Sequence, residues 1–315
     1  MAHTRRIRNT IHKGGYIYLR TAGGLNDNLV QLAKCTKYAV QHGRSIILEM
    51  PTYSATDIST VFDFSHFPVK VYTNYKEMRE KLASHPIVPS YYGSLTRPTR
   101  RNWNYTNRKW SSTSGKPLEF DFSKSYLPNV VLVYSAGGGG EGDDAVEILS
   151  HIRLTPEVKE LYREKLKDYS VPAEYVSIHL RATDRKLNIT NNITGMLLKD
   201  SNAIIKMPSS GNTHADALKK IRAFIKAHPI PVFVSGDNPK LIAKLMDKYP
   251  SILAGNDIYG KSHYNGAKDP DNLKNAIADL LILAGAKAIM TSQGGYSRLA
   301  KKLRARPEVL KSLLS

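Results

Sequence analysis

The sequence predicts an α/β protein of two successive units, each containing a parallel sheet of the nucleotide-binding type. Its 315 residues exceed what one ordinary hydrophobic core supports, which favours two domains, over 1–170 and 171–315. Apolar runs of strand length alternate with segments of helical period in both halves. Polar, glycine-containing turns follow several of these runs, as they do where a parallel strand leads into a helix.

The first half predicts a strand–turn–helix–strand unit followed by less regular chain. Its elements are a strand at 16–20, a glycine turn, a helix at 26–42, a strand at 45–49, a strand at 130–134 and a helix at 155–166. Gly43 closes the first helix as a C-cap. The aromatic-rich, polar segment 89–118 lacks periodicity and predicts a long surface loop, either a platform for a carbohydrate or a loop pinned by its aromatic side chains.

The second half repeats the alternation more regularly. Its predicted strands are 175–180, 231–235, 251–254 and 288–292, and its predicted helices are 214–227, 239–248, 273–283 and 297–304. Because strands and helices alternate, the unit predicts a parallel sheet whose ligands bind at the carboxyl ends of the strands.

Composition limits the classes of function. The net charge of +19 indicates an anionic partner, either nucleic acid or an anionic substrate or surface, but no nucleic-acid-binding motif accompanies it. The single cysteine, Cys35, lies in an apolar helical stretch and predicts a buried thiol. Since no apolar run approaches the ~20 residues that span a bilayer and no secretory segment is present, we expect a cytoplasmic protein without a transmembrane anchor.

Two strand ends in the first half and at the start of the second carry candidate binding residues. In the turn Gly23-Gly-Leu-Asn-Asp-Asn28, glycine lets a ligand approach the backbone, and Asn26 and Asn28 can bind it or cap the helix. In His179-Leu-Arg-Ala-Thr-Asp-Arg-Lys186, a polar run leaves a buried strand. Arg181 suits bidentate phosphate binding, although an ion pair with Asp184 that holds the turn is the alternative.

Two later strand ends complete the candidate site. Asp237 can accept a hydrogen bond from a nucleotide or cap the next helix. The stretch Thr291-Ser-Gln-Gly-Gly-Tyr-Ser-Arg298 joins a strand to a helix through a glycine turn, and its hydroxyls, free amides and Arg298 form either an anion cradle or an ordinary helix cap. No acidic pair stands at a strand end, so we predict no metal site.

These stretches resemble the fucosyltransferase superfamily, which includes the α1,6- (nodulation-type), α1,2- and protein O-fucosyltransferases. The run 179–186 is similar to the His-x-Arg-Arg-Thr-Asp-Lys motif of the α1,6 enzymes, with Ala182 in place of their second arginine. The turn 23–28 is similar to their N-terminal glycine turn, and the stretch from Asp279 to Ala300 to their final donor motif. The three stretches follow the family's order across roughly the whole chain.

The resemblance implies a GT-B fold, two Rossmann-like domains with a cleft between them, and inverting, metal-independent transfer from GDP-fucose that releases GDP. The acceptor, a carbohydrate, would bind the N-terminal domain, and no nucleic acid is expected. Arg181, Asp184 and Glu141 are the predicted catalytic residues; Asp143, Asp144 and Glu49 are further candidates for the base. The predicted donor-binding residues are Gly23, Gly24, Asn26, Asn28, His179, Arg181, Asp237, Ser292, Gln293, Ser297 and Arg298.

Three alternatives remain open at this point. Another GDP-sugar or a UDP-sugar such as UDP-xylose can replace the donor, because little in the sequence distinguishes them. The charge leaves a nucleic-acid-binding protein possible, and a sugar-binding module without turnover is the third. The oligomeric state is not determined by the sequence.

Overall fold

The computed structural model describes residues 14–90, 94–95, 101–104, 109–112, 119–135, 143–180, 198–199, 204–205, 213–236, 239–253, 269–291 and 295–315. The chain divides into two compact units, Met1–Arg153 and Leu154–Ser315. This division falls earlier than the boundary at 170 expected from the sequence. The reason is that the helix following residue 155 packs within the second unit, where Lys165 forms an ion pair with Asp279.

The N-terminal unit is built on a parallel sheet of five strands in the order β4-β2-β1-β8-β5. Its strands are β1 (Tyr16–Arg20), β2 (Ser45–Glu49), β3 (Phe62–Asp63), β4 (Val71–Tyr72), β5 (Ile87–Val88), β6 (Arg101–Asn104), β7 (Lys109–Ser112), β8 (Val131–Tyr134) and β9 (Arg153–Leu154). Its helices are α1 (Leu25–His42), α2 (Tyr75–Lys81) and α3 (Asp143–Leu149), with short 3-10 turns at Pro51–Tyr53 and Ile58–Thr60.

The predicted strand–turn–helix–strand start of this unit is confirmed. β1 and β2 are parallel neighbours, and the helix between them ends at Gly43, which adopts the left-handed C-cap conformation. Cys35 is buried among the apolar residues of α1, as predicted, and burial raises the pKa of its thiol. The predicted surface loop 89–118 was wrong in one respect, because β6 and β7 pair there as an antiparallel ribbon with Trp103 opposite Trp110.

The C-terminal unit contains a six-stranded sheet in the order β12-β11-β15-β10-β13-β14. Its strands are β10 (Val176–Leu180), β11 (Leu198–Lys199), β12 (Ile204–Ile205), β13 (Val232–Gly236), β14 (Ile252–Leu253) and β15 (Ile289–Thr291). Its helices are α4 (Pro156–Asp168), α5 (Thr213–Ala227), α6 (Pro239–Lys248), α7 (Asn272–Gly285), α8 (Gly295–Arg304) and α9 (Pro307–Leu314). The central strands β15, β10, β13 and β14 are parallel, and β11 is antiparallel to β15.

Helices cover both faces of this second sheet. On one face, Ile178 of β10 and Val234 of β13 pack against apolar residues of α5 and α6. On the other face, the Ser177 hydroxyl of β10 donates a hydrogen bond to the Leu283 carbonyl of α7, at 2.9 Å. Because successive strand residues point to opposite faces, β10 is buried on both sides, which explains its continuous apolar run in the sequence.

None of the helices in the described ranges is long and apolar enough to cross a membrane.

Candidate functional site

Polar side chains lie on adjacent strands at the carboxyl end of the C-terminal sheet. In the register of the sheet, His179 of β10 is paired with Ser235 of β13 on one side and with Thr291 of β15 on the other. All three are buried. The carboxyl ends of parallel strands are where ligands bind in open α/β sheets, so this row marks the candidate donor site.

His179 is held by the first turn of α8. Its Nδ1 lies 2.5 Å from the Ser297 hydroxyl, and the Ser297 side chain is completely buried. The His179 ring also packs against the ring of Tyr296, with centroids 5.1 Å apart, and the Tyr296 hydroxyl donates to the Ala276 carbonyl of α7. Helices α7 and α8 therefore fix the orientation of a histidine at the strand end.

The beginning of α8 is electropositive. A helix N-terminus presents unpaired backbone N–H groups, and α8 has no acidic residue in its first turn. Arg298 lies in this turn, and its buried Nε atom finds no hydrogen-bond partner in the described part of the chain. This combination can stabilise an anion such as a phosphate group.

The glycine turn of the N-terminal unit is also a structured site. Gly23 has a φ of 98°, and a Cβ atom there would lie 2.4 Å from the Asp27 carboxylate, so the turn requires glycine. The Gly23 carbonyl accepts a hydrogen bond from the Thr52 hydroxyl at 2.9 Å. Gln31 bonds both the amide and the carbonyl of Ala22. The turn is thus fixed from both sides.

Two asparagines at the start of α1 have unsatisfied amides. Asn26 and Asn28 are 1% and 2% exposed, and within the described residues neither side-chain nitrogen nor oxygen has a hydrogen-bond partner. Leaving a buried polar atom unpaired costs about 1–3 kcal/mol. A cost of this kind, incurred twice in the first turn of one helix, indicates groups that await a ligand.

Sequence reasoning missed a charged cluster at the carboxyl ends of β1 and β2. The Glu49 carboxylate is 3.2 Å from the Arg20 Nε and accepts a hydrogen bond from the Tyr18 hydroxyl. From the sequence, Glu49 is predicted only as a further candidate for the base. The signal in the sequence was a glutamate at the end of one apolar strand and an arginine at the end of another. In the sheet these two residues are register partners on the adjacent parallel strands β1 and β2.

Asp279, which the sequence associates with the donor motif, lies under α4. It is 1% exposed, one carboxylate oxygen is 3.0 Å from the Lys165 Nζ, and the other has no hydrogen-bond partner in the described ranges. Burial raises the pKa of Asp279 to about 6, and Lys165 opposes this rise.

The structure describes part of the predicted site. Arg181, Asp184, Glu141, Asp237, Ser292 and Gln293 lie outside the described residues. Of the others, His179 and Ser297 are brought together, with Arg298 one residue further along α8. Gly23, Gly24, Asn26 and Asn28 lie in the N-terminal unit, at the start of α1. Arg181 follows directly on Leu180, the last residue of β10.

Within the described ranges, no group of three or more histidine, cysteine, aspartate or glutamate side chains could hold a metal ion.

The fold defines a class of protein. Two α/β units with parallel Rossmann-like sheets are the architecture of the GT-B glycosyltransferases, and the fold class expected from the sequence is confirmed.

Particular solved structures share this fold. The chain is similar to the fucosyltransferase NodZ from Bradyrhizobium, with a TM-score of 0.59, 15% identity, and coverage of 91% of this chain and 92% of that one. NodZ α-1,6-fucosyltransferase soaked with GDP-fucose gives a TM-score of 0.57 at 15% identity, with the same coverage. POFUT1 in complex with GDP-fucose gives a TM-score of 0.53 at 14% identity, covering 93% of this chain and 94% of that one. No protein-family model matches the sequence, and no curated protein matches it. The chain therefore has the fold of the fucosyltransferase superfamily.

Proposed function

We propose that this chain is a glycosyltransferase that moves fucose from GDP-fucose to a carbohydrate acceptor. The observation that carries the proposal is the buried His179–Ser297 pair at the carboxyl end of the C-terminal sheet, beside the N-terminus of α8. A rigid polar row next to a positive helix end suits a nucleoside diphosphate, and the fold is shared with POFUT1 in complex with GDP-fucose and with NodZ soaked with GDP-fucose.

In this proposal the C-terminal unit binds the donor. His179, oriented by Ser297 and Tyr296, contacts the nucleotide. The first turn of α8 and Arg298 face the diphosphate, together with Ser292 and Gln293 just before it. Ser297 itself is completely buried and bonded to His179, so it supports the histidine rather than contacting phosphate. Asp237, following β13, is assigned to the nucleotide.

The chemistry requires stabilisation of the departing diphosphate. Transfer with inversion builds positive charge on the sugar and negative charge on the leaving group, and preorganised donors lower that barrier. We assign this role to Arg181, which follows β10, and to the start of α8. Asp184 and Glu141 are assigned as catalytic carboxylates, with the acceptor hydroxyl deprotonated by one of them. The transfer is proposed to need no metal.

The N-terminal unit is proposed to bind the acceptor. A carbohydrate presents hydroxyl groups that both donate and accept hydrogen bonds, and the Asn26 and Asn28 amides offer both functions. Gly23 and Gly24 allow the ligand to approach the backbone there.

Thermal unfolding with nucleotides tests the donor. The chain is heated with GDP, UDP, GDP-fucose and UDP-sugars, each with EDTA. A ligand at about a hundred times its Kd adds roughly 2.7 kcal/mol, which raises Tm by degrees. Stabilisation by GDP and GDP-fucose supports the proposal. Stabilisation by UDP compounds alone would reject GDP-fucose as the donor. The absence of a response to any nucleotide would reject the proposal that the chain is a glycosyltransferase.

The variant Arg181→Ala tests the diphosphate role. Loss of one charge-assisted contact to the leaving group should lower the transfer rate on the order of 10²–10³. The rate is measured as GDP released from GDP-fucose with an acceptor library, and circular dichroism checks that the variant is folded. Undiminished transfer by a folded variant would show that another group holds the diphosphate.

A further inference from the structure

Helices α5 and α6 form one continuous outer surface on the C-terminal unit. Their inner sides pack together on the same face of the sheet, through Ile221 and Phe224 of α5 and Ile242 and Leu245 of α6. The Arg222 Nε also donates a hydrogen bond to the Tyr249 hydroxyl just after α6, at 3.3 Å. Because both helices connect parallel strands, they run side by side in the same direction.

The exposed side of these two helices is strongly basic. We call this surface the basic face; it comprises Lys219, Lys220, Arg222, Lys226, Lys244 and Lys248. Lys219, Arg222 and Lys226 recur at spacings of three and four and form one stripe, and Lys244 and Lys248 form a second, parallel stripe. In sequence the two helices carry seven lysines and arginines against two acidic residues, Asp216 and Asp247, and none of the six cations of the basic face forms an ion pair within the described residues.

Another surface helix of the same unit shows that this imbalance is local. Helix α4 carries four basic and four acidic residues in its sequence, Pro156–Asp168. Its cations are partly neutralised, with Arg163 at 2.7 Å from Glu160 and Lys165 at 3.0 Å from Asp279. The uncompensated charge on α5 and α6 is therefore not a uniform consequence of the chain's net charge.

The side chains of the basic face favour a lipid surface over a nucleic acid or a protein. Five of the six cations are lysines, which are strongly hydrated point charges and lack the planar fork that arginine uses for bases and carboxylates. The exposed residues between them are the small Ala223, Ala227 and Ala243. Within the described ranges the large exposed apolar residues are Val40 and Leu127, both in the other unit. Tyr249, whose hydroxyl accepts from Arg222 and whose ring centroid is 6.0 Å from the Lys248 Nζ, is a single, half-buried ring. The described part of this face therefore has no row of exposed aromatic rings for stacked bases and no large exposed apolar anchor for a protein partner.

We propose that the basic face docks the chain onto the surface of an anionic lipid bilayer. Clustered lysines bind such a surface electrostatically, without insertion, when the lipids carry net negative charge. The stripes continue to Lys226 and Lys248, at the ends of α5 and α6 that lie away from the carboxyl edge of the sheet. The proposed donor site lies at the opposite edge and stays open during docking. Lipid binding does not depend on which nucleotide the chain binds.

Vesicle sedimentation tests this surface. The full chain is mixed with vesicles of phosphatidylcholine alone and with vesicles in which phosphatidylglycerol replaces half of the lipid. The test variant carries Lys219→Gln, Lys226→Gln, Lys244→Gln and Lys248→Gln. The control variant loses the same charge elsewhere on the unit, through Lys159→Gln, Lys167→Gln, Lys287→Gln and Lys311→Gln. Stabilisation by GDP is measured for all three proteins to check the fold.

We expect the unmodified chain to bind the anionic vesicles and not the neutral ones, with binding that weakens as salt rises. Each lysine near the surface contributes about a fivefold factor, so the test variant should lose on the order of several-hundredfold in partition coefficient. The control variant should lose less than about tenfold, from net charge alone.

Three results would overturn the proposal. One is the absence of sedimentation with anionic vesicles, and another is an equal loss in the test and control variants. The third is undiminished lipid binding by the test variant together with loss of binding to single-stranded RNA, which would assign the face to nucleic acid. If GDP stabilises the chain but the chain does not bind anionic vesicles, the docking proposal is rejected and the donor assignment stands. If the chain binds the vesicles but GDP does not stabilise it, the donor assignment is rejected and the docking proposal stands.

Discussion

The two units treat their buried polar groups differently. In the N-terminal unit the buried charged groups Arg44 and Glu49 each have several partners: the Arg44 guanidinium donates to the carbonyls of Tyr126, Leu127 and Val130 at 2.7–2.9 Å, and Glu49 is bonded by Arg20 and Tyr18. In the C-terminal unit the buried polar side chains of His179 and Ser297 bond each other. The buried charge there, Asp279, has a partner for only one of its two oxygens among the described residues.

This difference separates structural charge from functional polarity. Arg44 links the start of β2 to the segment before β8, and burial lowers its pKa without removing its charge. At the end of β10, by contrast, the His179–Ser297 pair lies beside a positive helix N-terminus, which can stabilise the negative charge of a ligand. This position is the physical basis for proposing that the C-terminal unit binds the donor.

Removing Arg44 should have the largest effect on stability. Arg44→Met removes a buried guanidinium and leaves the three carbonyls without their donor, and we expect a loss of about 3–5 kcal/mol in the free energy of unfolding. Arg304→Met is the matched control, since Arg304 donates to the carbonyls of Ala286 and Lys287 from a partly exposed position. It should cost about 1 kcal/mol. Urea unfolding measures both losses, and equal losses would mean that the buried Arg44 stabilises the fold no more than the partly exposed Arg304.

The pH dependence of the C-terminal unit should depend on Asp279. Its pKa in the folded state is raised to about 6, so the folded state keeps a proton that the unfolded state releases near pH 4. Protonated Asp279 therefore stabilises the folded state fully below about pH 4. This contribution to the free energy of unfolding, about 2–3 kcal/mol, is lost as the pH rises through 6. Asp279→Asn should remove this decline, seen as the difference between the two proteins in urea unfolding from pH 4 to 8. Parallel pH profiles of the unmodified chain and the Asp279→Asn variant would refute this role of Asp279.

Ser297 should affect donor binding more than folding. If its hydroxyl orients His179, Ser297→Ala should raise the Kd for GDP about tenfold, and Ser297→Thr should restore much of the affinity. Ser177→Ala, on the same strand as His179 but bonded to the Leu283 carbonyl, should cost stability without changing the Kd. Isothermal calorimetry gives the two dissociation constants. A larger change in Kd for Ser177→Ala would contradict the positioning role.

The smallest stability change is expected at Asn28. Because its amide is buried without a partner, Asn28→Leu should leave the free energy of unfolding unchanged or raise it by up to about 1 kcal/mol, while transfer falls. Gln31→Leu, which removes two hydrogen bonds to Ala22, should instead destabilise by about 1–3 kcal/mol. Destabilisation by Asn28→Leu with full activity would mean that Asn28 serves the fold.

Much of the secondary structure could be predicted, because burial of a strand or a helix face is encoded locally. The apolar runs at 176–180 and 232–236 and the helical period of α1 correspond to the elements in the structure. The ribbon of β6 and β7 could not be predicted, since its polar residues lack the alternation of apolar and polar residues that marks a half-buried strand. The boundary between the units could not be predicted either. Helix α4 belongs to the second unit because it packs against α7, and its own sequence does not reveal that contact.

By itself the sequence determined that two α/β units with polar strand ends follow one another, since hydrophobic period and glycine turns are properties of neighbouring residues. Only the tertiary structure decided which strand ends meet. His179 and Ser297 are 118 residues apart, and they touch because β15 lies next to β10 in the sheet order. Arg20 meets Glu49, and α5 meets α6, for the same reason. Strand order depends on the packing of the whole unit, and no local segment contains that information.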